Sequence, residues 1–261
     1  MDLSDGVMVA RGDLGVEMNP WDVPVIQKRI VETCKLLGKP VVIATQMMES
    51  MIENPTPTRA EASDCATAIY DSSDAVMLSA ESAAGKYPVE SVTMQQRIIS
   101  NVEEDEVYRA SLERFSSNNV YRTADATTTA IVNAARKVAA ISKSKAIFVF
   151  TRTGRAAERM ASLRPTVPIL AICYDKEVAR YLAMVWGTYA LVLPKPDGEK
   201  WNLEDELCKA CEMAIEDGFL SASDLITVTA GLPFYGSDPI ACPTNSLRVV
   251  TPATAFAERK H

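Results

Sequence analysis

Gly6-Val7-Met8-Val9-Ala10-Arg11-Gly12-Asp13 is the stretch on which the fold turns. Its first five residues form a short apolar run without polar alternation, the pattern of a strand covered on both faces. The pattern returns at Val41-Val42-Ile43-Ala44, which runs into Thr45-Gln46, and at Ala75-Val76-Met77-Leu78, which runs into Ser79-Ala80-Glu81. Each run ends in polar residues and gives way to a helical period. The unit is therefore a strand followed by a helix, repeated three times. Parallel βα barrels use repeats of about 35 residues, eight of which make a domain of about 250 residues. The expectation is an α/β chain that opens with part of a parallel (β/α)8 TIM barrel.

The helix signals agree with this reading. Asn19-Pro20 supplies a cap and a first-turn proline ahead of a helix over residues 23–37, and Gly38 stops it. Thr58-Arg59-Ala60-Glu61 has the pattern of a capping box for a helix reaching about residue 71. Tyr87-Pro88 opens an amphipathic helix predicted to run through residue 114. Residues 115–125 turn polar and read as a linker, which divides the chain into domains 1–115 and 116–261. Beyond it come a helix at 126–141, strand 146–150, helix 155–163, strand 169–173 and helix 176–184. A strand at 189–193, a helix at 203–217 and strands at 225–230 and 246–250 complete a three-layer α/β/α domain. Residues 231–245, with three prolines and two glycines, form a long loop of the kind that usually carries function.

Composition narrows the chemistry. The 261 residues are 48% hydrophobic and 23% charged, enough apolar material for a packed core and unlike a disordered chain. No run of eighteen apolar residues occurs, and Met1-Asp2-Leu3-Ser4-Asp5 lacks a basic start to a secretory signal, so a cytoplasmic protein without a membrane partner is expected. A net charge of -7 repels phosphate backbones, which argues against nucleic acid as a partner. The one histidine is His261, so Ser-His-Asp, Cys-His and His-rich metal chemistry is not expected. Cys208-Lys209-Ala210-Cys211 has zinc-like or redox-like spacing, but it stands alone inside a helical run, where reduced structural thiols are the other reading.

In a parallel barrel the reacting groups stand where strands end. Asp13 could hold a divalent cation while nearby amides take an anion, or it could simply cap a helix. Thr45 brings a hydroxyl to the same rim, or satisfies strand-end backbone. Farther on, Thr151-Arg152-Thr153-Gly154-Arg155 follows a strand and opens a helix, so hydroxyls, amides and two guanidinium groups could converge on a phosphate. A plain helix start is the alternative.

Four stretches, in order and with the family's spacing, resemble the pyruvate kinase family. They are Met8-Val9-Ala10-Arg11-Gly12-Asp13-Leu14-Gly15-Val16-Glu17, Ala44-Thr45-Gln46-Met47-Met48-Glu49-Ser50-Met51, Pro57-Thr58-Arg59-Ala60-Glu61 and Asp74-Ala75-Val76-Met77-Leu78-Ser79-Ala80-Glu81-Ser82. The resemblance implies the last three βα units of the barrel followed by the C-terminal effector and oligomerisation domain. It implies phosphoryl transfer from phosphoenolpyruvate to ADP, giving pyruvate and ATP in glycolysis. Asp13 resembles a ligand of the Mg2+ or Mn2+ ion. Ala10, Arg11 and Gly12 resemble the loop that receives the substrate carboxylate, Thr45 the hydroxyl beside the enolpyruvate, and Ser79 a serine near the proton-delivering water. Arg59 resembles a residue that crosses a subunit interface, which implies a homo-oligomer, a tetramer in the complete enzyme.

Residues 151–155 resemble a loop that binds a sugar-phosphate effector, although Ala156 stands where a further Ser or Thr is common. In the family pattern the second metal carboxylate, the lysine that contacts the transferring phosphoryl group, the K+ site and most ADP contacts lie upstream of Met1. Ala80-Glu81-Ser82-Ala83-Ala84 also lacks a lysine that can face the nucleotide. The chain alone is therefore expected to be inactive, with exposed strand edges that aggregate or need a partner segment. A catalytically incomplete regulatory or assembly module that binds a sugar phosphate is the alternative.

Overall fold

The three apolar runs are strands β1 (Val7–Ala10), β2 (Val41–Ala44) and β3 (Ala75–Met77), paired in parallel in the order β1-β2-β3. The structure is a computed structural model that describes residues 3–118, 126–194, 202–232 and 243–258. Register aligns Val9 with Ile43 and Ile43 with Val76, so one face of the sheet carries a row of β-branched side chains. That face packs on Val31 and Cys34 of helix α2 (Val23–Leu37) and on Cys65 and Ala68 of helix α3 (Arg59–Tyr70).

Cover on both faces, expected for all three strands, is found only for β2. Met8 of β1 is 56% exposed and Met77 of β3 is 37% exposed. Both belong to edge strands, and the face that carries them lacks the neighbours that a closed barrel would supply.

Local chemistry sets the helix ends. Helix α2 starts at Asp22 as N-cap and takes Pro24 into its first turn. Asn19, expected as the cap, instead donates through Nδ2 to Asp22 Oδ2 at 3.1 Å. Gly38 closes α2 at φ 70°, a conformation open to glycine at little cost. The capping box at Thr58 and Glu61 forms as read.

Between α1 (Arg11–Glu17) and α3 lies the 3-10 helix Glu49–Ile52, and α4 (Ala80–Ala83) follows β3. The long helix expected from Pro88 is two, α5 (Pro88–Glu104) and α6 (Glu106–Asn118). Asp105 takes extended backbone between them, and its Oδ2 accepts the Tyr108 amide at 3.1 Å and the Tyr70 hydroxyl at 3.0 Å. A side chain that competes for helical amides ends one helix and caps the next.

The chain divides into two compact units, Met1–Val120 and Tyr121–His261. In the second, β4 (Ala146–Phe150), β5 (Ile169–Cys173), β6 (Thr188–Val192), β7 (Ile226–Ala230) and β8 (Ser246–Val250) form a sheet in the order β6-β5-β4-β7-β8, with β8 antiparallel. Every residue of β4, β5 and β7 is buried. Phe148, Leu170, Ile172 and Val228 pack under α10 (Leu203–Glu216) and α11 (Pro252–Glu258). The opposite face meets α7 (Ala126–Ser142) and α8 (Arg155–Ser162), while α9 (Lys176–Leu182) flanks β5 and β6.

Helix α11 lay outside the sequence reading, yet Thr251 and Pro252 carry its start signal. The Thr251 hydroxyl accepts the Thr254 amide at 3.1 Å. Residues 233–242 of the long loop, Cys242 and His261 lie outside the described residues. No described helix is long and apolar enough to cross a membrane.

Candidate active site

At the C-terminal end of the three-stranded sheet the backbone leaves its ordinary range. Thr45 and Gln46 stand consecutively in the left-handed region, at φ 68° and 55°. For a β-branched threonine this is strained, a cost of about 1–3 kcal/mol per residue that only the surroundings can maintain.

Arg11 supplies much of that maintenance. It opens α1 directly after β1, is 9% exposed, and turns its guanidinium inward. Nη2 donates to Thr45 O at 2.6 Å and to Gln46 O at 3.0 Å, and Nε reaches Thr45 O at 3.2 Å. Nη1 pairs with Asp64 Oδ2 of α3 at 2.5 Å. The fork of an arginine suits this task, since one planar group meets two carbonyls and a carboxylate together. The backbone stretch read as a substrate loop thus carries a side chain that ties β1, the Thr45 turn and α3 together.

Gly12 is committed as well. Its N–H donates to Thr45 Oγ1 at 2.9 Å, which leaves the hydroxyl proton of Thr45 free to point elsewhere. A Cβ at Gly12 would lie 3.6 Å from that oxygen, so the close neighbour of this glycine is Thr45. Asp13, in the first turn of α1, is exposed and has no hydrogen-bond partner among the described residues. Ser79 follows β3 as the N-cap of α4, with φ -118° and ψ -106°, and is half-buried. The strand ends thus bring Asp13, Thr45 and Ser79 to one edge of one sheet.

The same edge holds a residue the sequence reading passed over. Glu81 is 3% exposed, and its oxygens accept the amides of Met48, at 3.1 Å, and Ser79, at 2.7 Å. Its signal was faint, an acidic residue two places after a strand-end serine. Glu61 serves more than the capping box, accepting the Ser50 amide at 2.8 Å and hydroxyl at 2.5 Å. Burial tends to raise its pKa, but the Ser50 and Thr58 donors outweigh that and lower it. Lys86 pairs with Glu53. Arg59 is exposed at the start of α3, and no described residue pairs with it.

In the second unit, Gly154 stands at φ 87° before α8 and donates its N–H to Thr151 Oγ1 at 3.1 Å. Thr151 is buried, whereas Arg152, Thr153 and Arg155 are exposed. Part of the expected phosphate cradle is therefore internal, and Arg152, Thr153 and Arg155 lie at the surface around it. Cys208 and Cys211 are fully buried in α10. Cys208 donates through Sγ to Ala255 O at 3.2 Å, and burial, then Cys208 and Glu212, push the Cys211 thiol up to about 12. They pack as protonated structural thiols.

Comparison with known proteins follows the same division. Residues 1–92 match the family model "Pyruvate kinase, barrel domain" and residues 129–250 match "Pyruvate kinase, alpha/beta domain". A pyruvate kinase of Agrobacterium vitis is 45% identical over 247 residues, 95% of this chain and 50% of that protein. One of Methylorubrum extorquens is 41% identical over 261 residues, 100% of this chain and 51% of that protein. The crystal structure of a pyruvate kinase from Cryptosporidium parvum superposes with a TM-score of 0.81 at 34% identity, covering 96% of this chain and 47% of that one. The chain spans about half the length of the relatives it matches. Both units match domains of one family in the family's order, and so the chain belongs to the pyruvate kinase family.

Proposed function

We propose that these residues furnish one side of the site at which phosphoenolpyruvate passes its phosphoryl group to ADP, giving pyruvate and ATP, once further βα units complete the barrel. The observation that carries this reading is the Thr45 turn, two strained residues held by Arg11, with the Gly12 amide on the Thr45 hydroxyl and the exposed Asp13 one residue after Gly12. Strain of this kind is kept where a hydroxyl must stand in one place.

Asp13 suits a hard divalent ion such as Mg2+ or Mn2+, being an exposed carboxylate without a competing partner. No group of three or more candidate ligands occurs among the described residues, so Asp13 would be one ligand of an ion whose other oxygens come from the substrate and the rest of the barrel. When bound, such an ion neutralises charge on the phosphoryl and enolate oxygens. The chain's own residues position the reactants. The Asp13 amide, third in α1, has no intrahelical acceptor and faces an anionic group. The Thr45 hydroxyl, already accepting from Gly12, turns its proton toward the enolate side, and the Ser79 hydroxyl orients the water that brings the proton to carbon. Any K+ ion would draw its ligands from outside this chain.

The decisive experiment joins residues 1–261 to the front half of the Methylorubrum extorquens enzyme, a relative whose alignment covers all of this chain and 51% of that protein. Pyruvate formation dependent on phosphoenolpyruvate, ADP and metal is expected, and Asp13→Asn should lower kcat/KM by ~10²–10³-fold. Activity unchanged by that substitution would overturn the assignment.

The second reading rests on the exposed Arg152, Thr153 and Arg155 around the start of α8. They form a site for the phosphate of a sugar-phosphate effector, and Arg59 contributes to a homotetramer interface. Titration calorimetry with fructose bisphosphate, glucose 6-phosphate and ribose 5-phosphate tests the first part, with heat abolished by Arg152→Ala as the supporting result. Silence with all three sugars removes it.

A further inference from the structure

Glu81 is a carboxylate buried to 3% exposure, and neither of its oxygens meets a cation among the described residues. Burying a charge is costly unless hydrogen bonds replace its water. Here both replacements are backbone amides, one from each of two neighbouring strand ends. Met48 lies three residues beyond Thr45, and Ser79 is itself a proposed site residue. Neither holds regular backbone, with Met48 at φ -144°, ψ 47° and Ser79 at φ -118°, ψ -106°. An amide outside regular structure needs an acceptor from elsewhere, and Glu81 is that acceptor for both.

Resting on the phosphoryl-transfer reading, we propose that Glu81 is a positioning residue that locks the Thr45 turn to Ser79. It bridges the two segments without touching substrate. Arg11 grips the carbonyl side of the turn through Thr45 O and Gln46 O, and Glu81 grips the amide side through Met48. The backbone behind Glu81 is pressed onto the same loop. A Cβ at Gly85 would lie 2.7 Å from Glu81 O and 3.1 Å from Ile52 Cα, and the Lys86 amide donates to Ile52 O at 2.8 Å. With the carboxylate removed, the buried Met48 amide and the half-buried Ser79 amide lose their acceptor, the turn relaxes toward ordinary dihedral angles, and the two hydroxyls no longer hold a fixed separation.

The test uses the chimeric enzyme described above, carrying Glu81→Ala or Glu81→Gln, with kcat, KM and hydrogen–deuterium exchange measured together. For Glu81→Ala, kcat should fall by ~10²-fold with KM for phosphoenolpyruvate within about threefold of wild type, the pattern of misplaced groups rather than lost binding. Exchange should accelerate in peptides spanning 45–49 and 78–82 and nowhere else in the first unit. Glu81→Gln keeps one acceptor oxygen and should recover kcat to within about tenfold of wild type. If Glu81→Ala fails to fold, Glu81→Gln carries the same readouts, a smaller kcat loss with exchange confined to the same two segments. A folded Glu81→Ala variant with wild-type kcat overturns the proposal. So does a loss of kcat with unchanged exchange, which would make Glu81 a direct participant, or exchange that rises throughout the unit, which would make it a general stabiliser. An inactive wild-type chimera would instead defeat the phosphoryl-transfer reading, leaving the exchange comparison to decide the clamp.

Discussion

The two units solve the same problem, a parallel sheet that must hide both faces, with opposite success. In the second, helices cover both faces and β4, β5 and β7 are buried from end to end. In the first, one face is covered and the other leaves Met8 and Met77 open. Burial of apolar area drives folding, so the second unit is expected to carry its own stability while the first leaves apolar side chains uncovered. The proposed chemistry sits in the first unit. Strained turns and inward charges gather at its strand ends, where a finished barrel would hold them.

The sharpest way to break this contrast is to separate the units. Residues 121–261 should unfold in one cooperative transition in urea, whereas residues 1–120 should bind an apolar dye and self-associate. A cooperative, monomeric first unit would dissolve the distinction. Next in size, Phe148→Ala should cost about 3–5 kcal/mol by chemical denaturation, because it empties a fully packed site. Met8→Ala in the chain alone should change stability by less than about 0.5 kcal/mol, since more than half of its surface is already in water. Joining the missing barrel units should raise the Met8 penalty and leave the Phe148 penalty unchanged.

An effect below that of Phe148, about 1.5–3 kcal/mol in the first unit, is expected for Arg11→Met, which removes charge-assisted hydrogen bonds from the strained Thr45 turn. The capping box contributes less than Arg11. Thr58→Ala should cost about 1 kcal/mol. Because the folded pKa of Glu61 is lowered, its contribution is present above the unfolded glutamate value and lost as the pH falls through the folded one. The stability difference between the wild type and Glu61→Gln should therefore shrink from pH 7 toward pH 3 in paired urea titrations.

What the residues revealed in advance was governed by local chemistry. The three βα units, the Thr58 box, the Gly38 stop and the succession of strands and helices along the second unit as far as β8 follow from periodicity and end signals, which act over a few positions. Other misses turn on distant partners. Asp105 breaks a helix because Tyr70, from another element, reaches the same carboxylate. Met8 is exposed because its missing neighbours are strands, which no local pattern can reveal. At the candidate site the strand ends named Asp13, Thr45 and Ser79, but the inward turn of Arg11 toward Asp64, 53 positions away, could not be read from spacing. Nor could Glu81, whose partner Met48 lies 33 positions earlier.

The account stands most directly on what the chain does without its complement. Purified residues 1–261, given phosphoenolpyruvate, ADP, Mg2+ and K+, should form no pyruvate above background, and adding the front half of a relative should restore turnover that Asp13→Asn removes. Metal-dependent pyruvate formation by the 261-residue chain alone would contradict it.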